Sequence, residues 1–249
     1  MKTIELIKRD LPYEVNEELK HLRTNITFCG DDKRVIMMTS SISGEGKSST
    51  SLDLAASFAD LGSKVLLIDT DMRKSMMRQF VKDKSKLEYG LSHLLTGQCQ
   101  LADCLYRTNT NVYVISAGPV PPNPSELLSN RKMENLIKNV RDYFDYIIVD
   151  CPPLGAVIDA AVVANYCDGA IIVCEAGKIP YKVLQGVVAQ LKNTQCPILG
   201  VVLNKVDVKK GRYYKNYYYK KQGYYTDVES EELPELDDID LEEVDLDEF

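Results

Sequence analysis

The feature that most constrains the fold of this chain is a short glycine-containing loop between an apolar run and a helical pattern. The apolar run is Val35–Thr39, and the loop reads Ser41-Ile-Ser-Gly-Glu-Gly-Lys-Ser48. It matches the phosphate-loop pattern G-x-x-x-x-G-K-[ST] except at the first position, where Ser41 replaces glycine. Glycines let consecutive backbone N–H groups point at a phosphate, and the following helix adds its positive N-terminal end. The alternative, a flexible Gly/Ser turn, is disfavoured by the strand and helix patterns on either side.

This loop predicts a nucleotide site. Lys47 is expected to reach the β- and γ-phosphates, and Ser48 is expected to bind Mg²⁺. The predicted nucleotide-binding residues of the loop are Ser43, Gly44, Glu45, Gly46, Lys47, Ser48 and Ser49.

Two other apolar runs end in acidic residues. Leu66-Leu-Ile-Asp69-Thr-Asp71 places two carboxylates two residues apart, so that both can project to one side of a strand end. The run Tyr146–Asp150 also ends in an acid, which is the Walker B pattern. Each acid alone could cap a helix. Because Mg²⁺ prefers oxygen ligands and keeps several waters, the acids and the loop together predict a metal site at these strand ends.

Apolar β-branched runs alternate with helical patterns along the body of the chain. Besides Val35–Thr39, we expect strands at 64–69, 112–116, 146–150, 170–174 and 198–203, and helices at 14–29, 47–61, 126–142, 156–166 and 180–193. This alternation predicts an α/β fold, a P-loop NTPase-like and mostly parallel sheet with helices on both faces. Ligands of such folds bind at the carboxyl ends of the strands.

The composition changes after about residue 208. Residues 211–225 contain seven tyrosines interleaved with Arg and Lys, and residues 227–249 contain 13 Asp or Glu and no Lys or Arg. Without those 13 acids the formal charge of the chain changes from −7 to +6. Neither segment has a hydrophobic periodicity that would give it an apolar face to pack against a core, so we expect both to be disordered. The predicted organisation is an N-terminal segment 1–30 with an amphipathic helix, an ATP-binding domain 31–208, a tyrosine cluster 209–226 and an acidic tail 227–249.

Several other classes of protein are disfavoured. The seven cysteines show no C-x-x-C spacing and the two histidines are far apart, so a zinc site is not expected. Residues 1–10 carry charges where a signal peptide is apolar, and no apolar run approaches the ~20 residues that span a bilayer. Asn204-Lys-Val-Asp207 resembles the guanine-recognition motif of GTPases, but Cys-Pro-Pro replaces the expected D-x-x-G after Asp150. Aromatic and basic residues could together bind single-stranded nucleic acid, yet no folded groove presents them, and we expect no nucleic-acid partner.

Three motifs together resemble the bacterial tyrosine kinases encoded with capsule and exopolysaccharide genes: Ser43-Gly-Glu-Gly-Lys-Ser48, Leu67-Ile-Asp-Thr-Asp-Met-Arg73 and Val149-Asp-Cys-Pro-Pro153. The resemblance extends through Leu22–Ile26, Ala117–Leu128 and Gly200–Asp207, and covers about residues 13–225. It implies a kinase on a P-loop ATPase fold that uses ATP and Mg²⁺.

The resemblance also implies roles for single residues. Asp69, Asp71, Arg73 and Asp150 would join Lys47 in catalysis, with Asp69 as the first choice of base for the tyrosine proton and Arg73 binding phosphate charge. The metal would be held by Ser48, Asp69 and Asp150, with help from Asp71. Asn204 joins the predicted nucleotide-binding residues. The phospho-acceptors would be Tyr213, Tyr214, Tyr217, Tyr218, Tyr219, Tyr224 and Tyr225, phosphorylated in trans by a neighbouring subunit.

The family's ring-forming helix carries E-x-x-R-x-x-R, which here reads Glu17-Glu-Leu-Lys20-His-Leu-Arg23. Lys20 cannot reproduce the bidentate contact of arginine. The implied partners are further copies of the chain in a ring, a separate transmembrane activator that acts in polysaccharide export, and a tyrosine phosphatase. The implied location is the cytoplasm, with recruitment to the inner face of the membrane by the activator.

Two rival functions share the same fold. A partition or positioning ATPase of the ParA/MinD kind would carry a signature lysine early in the phosphate loop, where this chain has Ser41, Ile42 and Ser43. A catalytically weak scaffold, modified by another enzyme, would not need an intact Lys47 and acid set.

The acidic tail departs from the family, because 24 residues follow Tyr225. It could modulate access to the tyrosines or only increase solubility.

Overall fold

Strands composed almost entirely of apolar residues form the centre of one mixed β-sheet. The computed structural model describes residues 2–206; the tyrosine cluster and the acidic tail lie outside the described residues. Within that range the strands are β1 Lys2–Ile4, β2 Val35–Ser40, β3 Val65–Asp69, β4 Tyr106–Thr108, β5 Val112–Ile115, β6 Tyr146–Asp150, β7 Gly169–Glu175 and β8 Ile198–Asn204. The helices are α1 Tyr13–Phe28, α2 Lys47–Ala59, α3 Met77–Phe80, α4 Leu91–Thr96, α5 Leu101–Cys104, α6 Pro124–Leu128, α7 Arg131–Arg141, α8 Asp159–Ala164 and α9 Tyr181–Lys192, with a 3₁₀ turn at Lys84–Lys86.

The strand order across the sheet is β1-β4-β5-β3-β6-β2-β7-β8. All neighbouring strands are parallel except β4 and β5, which pair antiparallel. The six strands from β5 to β8 therefore bring their carboxyl ends to one edge, where ligands of open α/β sheets bind. The predicted fold class, a mostly parallel sheet covered by helices on both faces, is confirmed.

The side chains of the central strands alternate between two hydrophobic clusters, one on each face of the sheet. In β2, Val35 and Met37 belong to one cluster while Ile36 and Met38 belong to the other. Helices α7, α8 and α9 cover the first face, and α2 covers the second. Because both faces are buried, the strands read as continuous apolar runs instead of alternating polar and apolar residues. Burial of each large aliphatic side chain contributes roughly 1.5–3 kcal/mol.

Two predicted helices differ from those in the structure. The helix expected at 126–142 is two helices, α6 and α7, because the helical conformation is interrupted at Ser129 and Asn130. The Asn130 side chain accepts a hydrogen bond from the Lys132 N–H at 3.2 Å and thereby caps the N-terminus of α7. The helix expected at 156–166 is shorter, Asp159–Ala164, since residues 154–156 form a turn after Pro153. The three-residue strands β1 and β4 were not predicted, because three residues are too few to show the hydrophobic pattern that identifies a strand.

The N-terminal segment packs against the body of the chain. Strand β1 lies at the edge of the sheet beside β4, and α1 packs on α2 through the buried side chain of Ile26. No helix within residues 2–206 is long and apolar enough to cross a bilayer. The predicted boundaries at residues 30, 208 and 226 stay predictions.

Candidate active site

The phosphate loop joins the carboxyl end of β2 to the first turn of α2. Gly44 and Gly46 both have φ of +90°, a left-handed conformation that favours glycine. A Cβ atom on Gly46 would lie 2.1 Å from Nδ2 of Asn204, so a larger residue would also collide with the end of β8. Helix α2 starts directly after the second glycine, with the Thr50 N–H donating to the Gly46 carbonyl at 2.9 Å. The loop thus has the conformation that a phosphate cradle requires.

Glu45 supports this loop from inside. Its side chain is fully buried, and its Oε2 accepts hydrogen bonds from the backbone N–H groups of Ser41 and Ile42 at 2.7 and 2.8 Å. Its Oε1 accepts a third bond from the backbone N–H of Glu175, at the end of β7, at 3.2 Å. The Glu45 carboxylate therefore contacts the protein backbone. A contact of the Glu45 main chain with nucleotide stays a prediction.

The end of β8 holds the same loop from its other side. The Asn204 amide donates to the Glu45 carbonyl at 2.9 Å, and the Lys205 ammonium donates to the Gly44 carbonyl at 2.7 Å. Lys205 also pairs with the Glu175 carboxylate at 2.8 Å. Sequence reasoning did not assign Lys205 or Glu175 to the site. The Asn-Lys pair after an apolar run was the available signal: the family resemblance assigned Asn204 to the nucleotide site but gave Lys205 no role.

Lys47 lies among the predicted acids. Its ammonium nitrogen is 3.3 Å from Oδ2 of Asp71 and 3.2 Å from Oδ1 of Asp150, and all three side chains are less than a tenth exposed. The Ser48 and Ser51 hydroxyl groups lie beside this pair, with Ser51 donating to Asp150. Burial disfavours the charged ammonium, but the carboxylates of Asp150 and Asp71 outweigh it and raise the pKa of Lys47. Burial raises the pKa of Asp150, although Lys47 opposes the shift.

Asp69 completes the acidic group. Strands β3 and β6 are neighbours in a register that pairs Asp69 with Asp150, which explains why two acids distant in sequence meet. Asp69 accepts hydrogen bonds from the Ser75 hydroxyl and from the backbone N–H of Asp71. Burial, followed by the nearby charge of Asp150, raises the pKa of Asp69 to about 7. A carboxylate with such a pKa can exchange protons near neutral pH.

Arg73 projects toward a different partner. Its guanidinium binds both carboxylate oxygens of the fully buried Asp159, at 2.7 and 3.1 Å, and contacts the Ser125 hydroxyl at 3.2 Å. Burial raises the pKa of Asp159, but the hydrogen bonds from Arg73 and Ser125 outweigh it and lower the pKa. The structure thus brings Lys47, Asp69, Asp71 and Asp150 together and gives Arg73 a separate ion pair. The predicted role of Arg73 in binding phosphate charge stays a prediction.

The donors at this site suit Mg²⁺. The Ser48 hydroxyl and the carboxylates of Asp69, Asp71 and Asp150 are hard oxygen ligands, and three buried acids share a single buried lysine. Among residues 2–206, no group of three or more His, Cys, Asp or Glu side chains is arranged to hold a metal unaided. The two observations agree, because Mg²⁺ bound with a nucleotide takes one or two carboxylates and completes its shell with phosphates and waters.

The three predicted oligomerisation residues make contacts within the chain. Lys20 pairs with Glu17 one turn away at 2.6 Å, on the exposed side of α1. Arg23 is partly buried and donates to the Ser57 carbonyl and hydroxyl near the end of α2. Arg23 therefore fastens α1 to α2, and the part of these residues in a ring stays a prediction. The predicted phospho-acceptor tyrosines lie outside the described residues.

Comparisons with known proteins give a consistent result. The family described as AAA domain matches residues 33–199. The tyrosine-protein kinase CpsD of Streptococcus pneumoniae serotype 4 is 42% identical over 216 residues, which cover 86% of this chain and 95% of that protein. The tyrosine-protein kinase YwqD of Bacillus subtilis is 34% identical over 205 residues, covering 81% of this chain and 86% of that protein.

Solved structures show the same likeness. The chimerical protein CapA2B2 superposes with a TM-score of 0.73 at 28% identity and covers 83% of this chain and 94% of its own. The kinase domain of the Escherichia coli tyrosine kinase ETK has a TM-score of 0.71 at 32% identity, with 77% of each chain covered. The septum site-determining protein MinD of Pyrococcus horikoshii, complexed with Mg-ADP, has a TM-score of 0.57 at 27% identity and covers 68% of this chain and 69% of its own.

Proposed function

This chain belongs to the family of bacterial tyrosine-protein kinases, and we propose that it transfers the γ-phosphoryl group of Mg-ATP to tyrosines of its own C-terminal cluster, in trans between subunits. The observation that carries the proposal is the placement of Lys47 at 3.2 Å from Asp150 and 3.3 Å from Asp71, directly after a phosphate loop, with Asp69 beside them. A phosphate binder, two metal-shell acids and a candidate base thus share one edge of the sheet.

Each residue has a distinct task in this proposal. Lys47 leaves the two carboxylates and binds the β- and γ-phosphates, while Ser48 and Asp150 serve the metal shell. Mg²⁺, when bound with ATP, neutralises phosphate charge. Asp69 accepts the proton of the incoming tyrosine hydroxyl, for which its pKa of about 7 is suitable, since a phenol with pKa ~10 needs an acceptor at neutral pH. Asp71 lies next to Asp69, and both carboxylates help to hold the metal.

The acceptors of the proposal are the seven tyrosines between Tyr213 and Tyr225. Transfer in trans requires more than one subunit, and the exposed Glu17–Lys20 side of α1 is the proposed contact between neighbours in a ring. A separate membrane protein with a cytoplasmic segment would recruit the chain to the inner face of the membrane and activate it, and a tyrosine phosphatase would reverse the modification. The pathway served would be the synthesis and export of capsular or extracellular polysaccharide.

The decisive experiment is a phosphotyrosine assay on the purified full-length chain with Mg-ATP, with and without a peptide from the cytoplasmic segment of the membrane partner. The Lys47→Met variant is compared with Lys192→Met, which makes the same substitution at an exposed lysine at the end of α9. We expect labelling of residues 213–225 in the wild type and in Lys192→Met, and none in Lys47→Met. Labelling that persists in Lys47→Met would contradict the proposal.

The competing function is an ATPase switch of the MinD kind, which the structural likeness to MinD favours. Such a switch would hydrolyse ATP without labelling tyrosine. Hydrolysis that depends on Lys47, together with absent labelling even when the activator peptide is present, would select the switch over the kinase. Serine at positions 41 and 43, where the switch proteins need an early lysine, supports the kinase.

A further inference from the structure

A cavity of about 290 Å³ lies next to the acidic site and has no role in the chemistry described above. Ser75 connects the two, because it lines the cavity and its hydroxyl donates a hydrogen bond to Oδ2 of Asp69. The cavity therefore begins one side chain away from the proposed base. A ligand held there would lie beside the acceptor tyrosine.

The walls of the cavity combine apolar surface with hydrogen-bond donors. Leu87 and Pro119 supply the apolar part, and Arg78 and His93 supply the donors. Nδ1 of His93 accepts a hydrogen bond from the Gly90 N–H at 3.2 Å, which leaves Nε2 as the ring nitrogen that can donate. Arg78 uses one N–H for the Lys84 carbonyl at 3.2 Å, which leaves further guanidinium donors for a ligand.

The charge around the cavity favours an anion. Arg78 lines the cavity and has no carboxylate ion-pair partner within the described residues. The exposed lysines Lys74, Lys84 and Lys86 belong to the same stretch of sequence but do not line the cavity. Glu88 also lines the cavity, but it is paired with Lys2 at 2.7 Å. An aromatic ring between apolar walls, carrying a doubly charged group that accepts hydrogen bonds from arginine and histidine, matches these features.

We propose that this cavity binds a phosphotyrosine already formed in the tyrosine cluster and thereby presents a nearby tyrosine of the same cluster to Asp69. The inference rests on the proposed kinase function and extends it to the order of phosphorylation. The unmodified cluster carries Arg212, Lys215, Lys220 and Lys221 and no acid within residues 211–225, so the positive charge of Arg78 in the cavity wall repels it. The first transfer adds about −1.5 to −2 charges, which lowers the net charge of the cluster and provides a doubly negative group that the Arg78 guanidinium can bind.

The spacing of the tyrosines suits such a mechanism. In an extended segment, residues i and i+2 project to the same side and are about 7 Å apart, from the rise of ~3.3 Å per residue. Tyr217 and Tyr219 have this spacing. With phosphotyrosine 219 in the cavity, the hydroxyl of Tyr217 is the next acceptor. Phosphorylation of the cluster then accelerates after the first transfer.

The test uses synthetic peptides of residues 211–223 in which every tyrosine except Tyr217 is phenylalanine and position 219 is Phe or phosphotyrosine. Binding to the full-length chain, treated with a tyrosine phosphatase and kept without ATP, is measured by fluorescence anisotropy. We expect the phosphopeptide to bind about tenfold more tightly than the Phe peptide. This difference should disappear in Arg78→Ala and remain in Lys182→Ala, which removes an exposed positive charge on α9.

Peptide phosphorylation by the same proteins, followed by mass spectrometry, supplies the second measurement. KM should fall about tenfold for the phosphopeptide with the wild type, while Arg78→Ala should phosphorylate the Phe peptide as the wild type does. Because the binding assay needs no phosphoryl transfer, a failure of the kinase function leaves it unaffected, and the two failures are distinguishable. Arg78→Lys, which keeps the charge and loses the planar fork, should bind with intermediate affinity.

Three results would overturn the inference. Equal affinity for both peptides would show that phosphate is not recognised. Discrimination that persists in Arg78→Ala would locate the recognition elsewhere. Binding of an unphosphorylated peptide of residues 227–249 with the same affinity and the same dependence on Arg78 would show that the cavity attracts any anion.

Discussion

The ammonium nitrogen of Lys47 lies 3.2 Å from Oδ1 of Asp150, with both side chains buried at the carboxyl edge of the sheet. Lys47 comes from the phosphate loop and Asp150 from the end of the neighbouring strand β6, so this contact joins the two halves of the nucleotide site. Asp71 approaches the same ammonium at 3.3 Å. One lysine therefore compensates much of the buried negative charge.

The first prediction concerns the stability of this buried ion pair. Lys47→Met leaves the carboxylates of Asp71 and Asp150 without their cation, and removal of one partner of a buried pair costs about 3–5 kcal/mol. We expect the free energy of unfolding in urea, without nucleotide or metal, to fall by this amount. The double variant Lys47→Met/Asp150→Asn should recover part of the loss, because a neutral amide needs no cation. Equal urea midpoints for wild type and Lys47→Met would contradict this prediction.

The second prediction concerns the pH dependence of the reaction. Asp69 must be ionised to accept a proton, and burial followed by the charge of Asp150 raises its pKa to about 7. The ratio kcat/KM, which reports ionisations of the free enzyme, should therefore rise with pH through about 7 and level off above it. Asp69→Asn should lower kcat by about 10²–10⁴-fold and remove this rise from the residual activity. An unchanged pH profile in the variant would exclude Asp69 as the base.

The third prediction concerns the internal support of the phosphate loop. Glu45→Ala leaves the N–H groups of Ser41, Ile42 and Glu175 without their acceptor, at a cost of about 1–3 kcal/mol for each donor that stays unpaired. We expect a lower melting temperature. The KM for ATP should rise about tenfold, which corresponds to about 1.4 kcal/mol of binding free energy, while kcat should change less. Glu45→Gln keeps one carbonyl acceptor and should lie between Ala and wild type. If kcat falls while KM is unchanged, Glu45 acts in the chemical step instead.

The fourth prediction separates folding from assembly on helix α1. Arg23 donates charge-assisted hydrogen bonds to Ser57 near the end of α2, so Arg23→Ala should lower the free energy of unfolding by about 1.5–3 kcal/mol. Lys20 forms an exposed pair with Glu17, so Lys20→Ala should leave the free energy of unfolding nearly unchanged. Light scattering after size-exclusion chromatography should then show fewer oligomers for Lys20→Ala at unchanged stability. The opposite pattern would assign Arg23 to the ring contact.

The amino-acid sequence by itself determined the phosphate loop, the acidic strand ends and the class of fold. These features are local patterns, each contained within about eight residues. They are the glycines at positions 44 and 46 with the lysine and serine after them, and the apolar runs that end at Asp69 and Asp150. Local patterns of this kind have local physical causes, such as positive φ angles or the burial of a strand on both faces. They could be interpreted without knowledge of which strands are neighbours.

Only the tertiary structure decided how these pieces meet. Three contacts join residues that are 86 to 130 positions apart: Lys47 with Asp150, Arg73 with Asp159, and Glu45 with Glu175. No periodicity in the sequence indicates which residues meet over such a separation. The strand order places β6 between β2 and β3, and this order alone brings Asp150 to Lys47 and Asp69. The cavity beside Ser75 likewise arises from four separate segments of the chain. Long-range contacts depend on the packing of whole elements, and for this reason the tertiary structure was needed to find them.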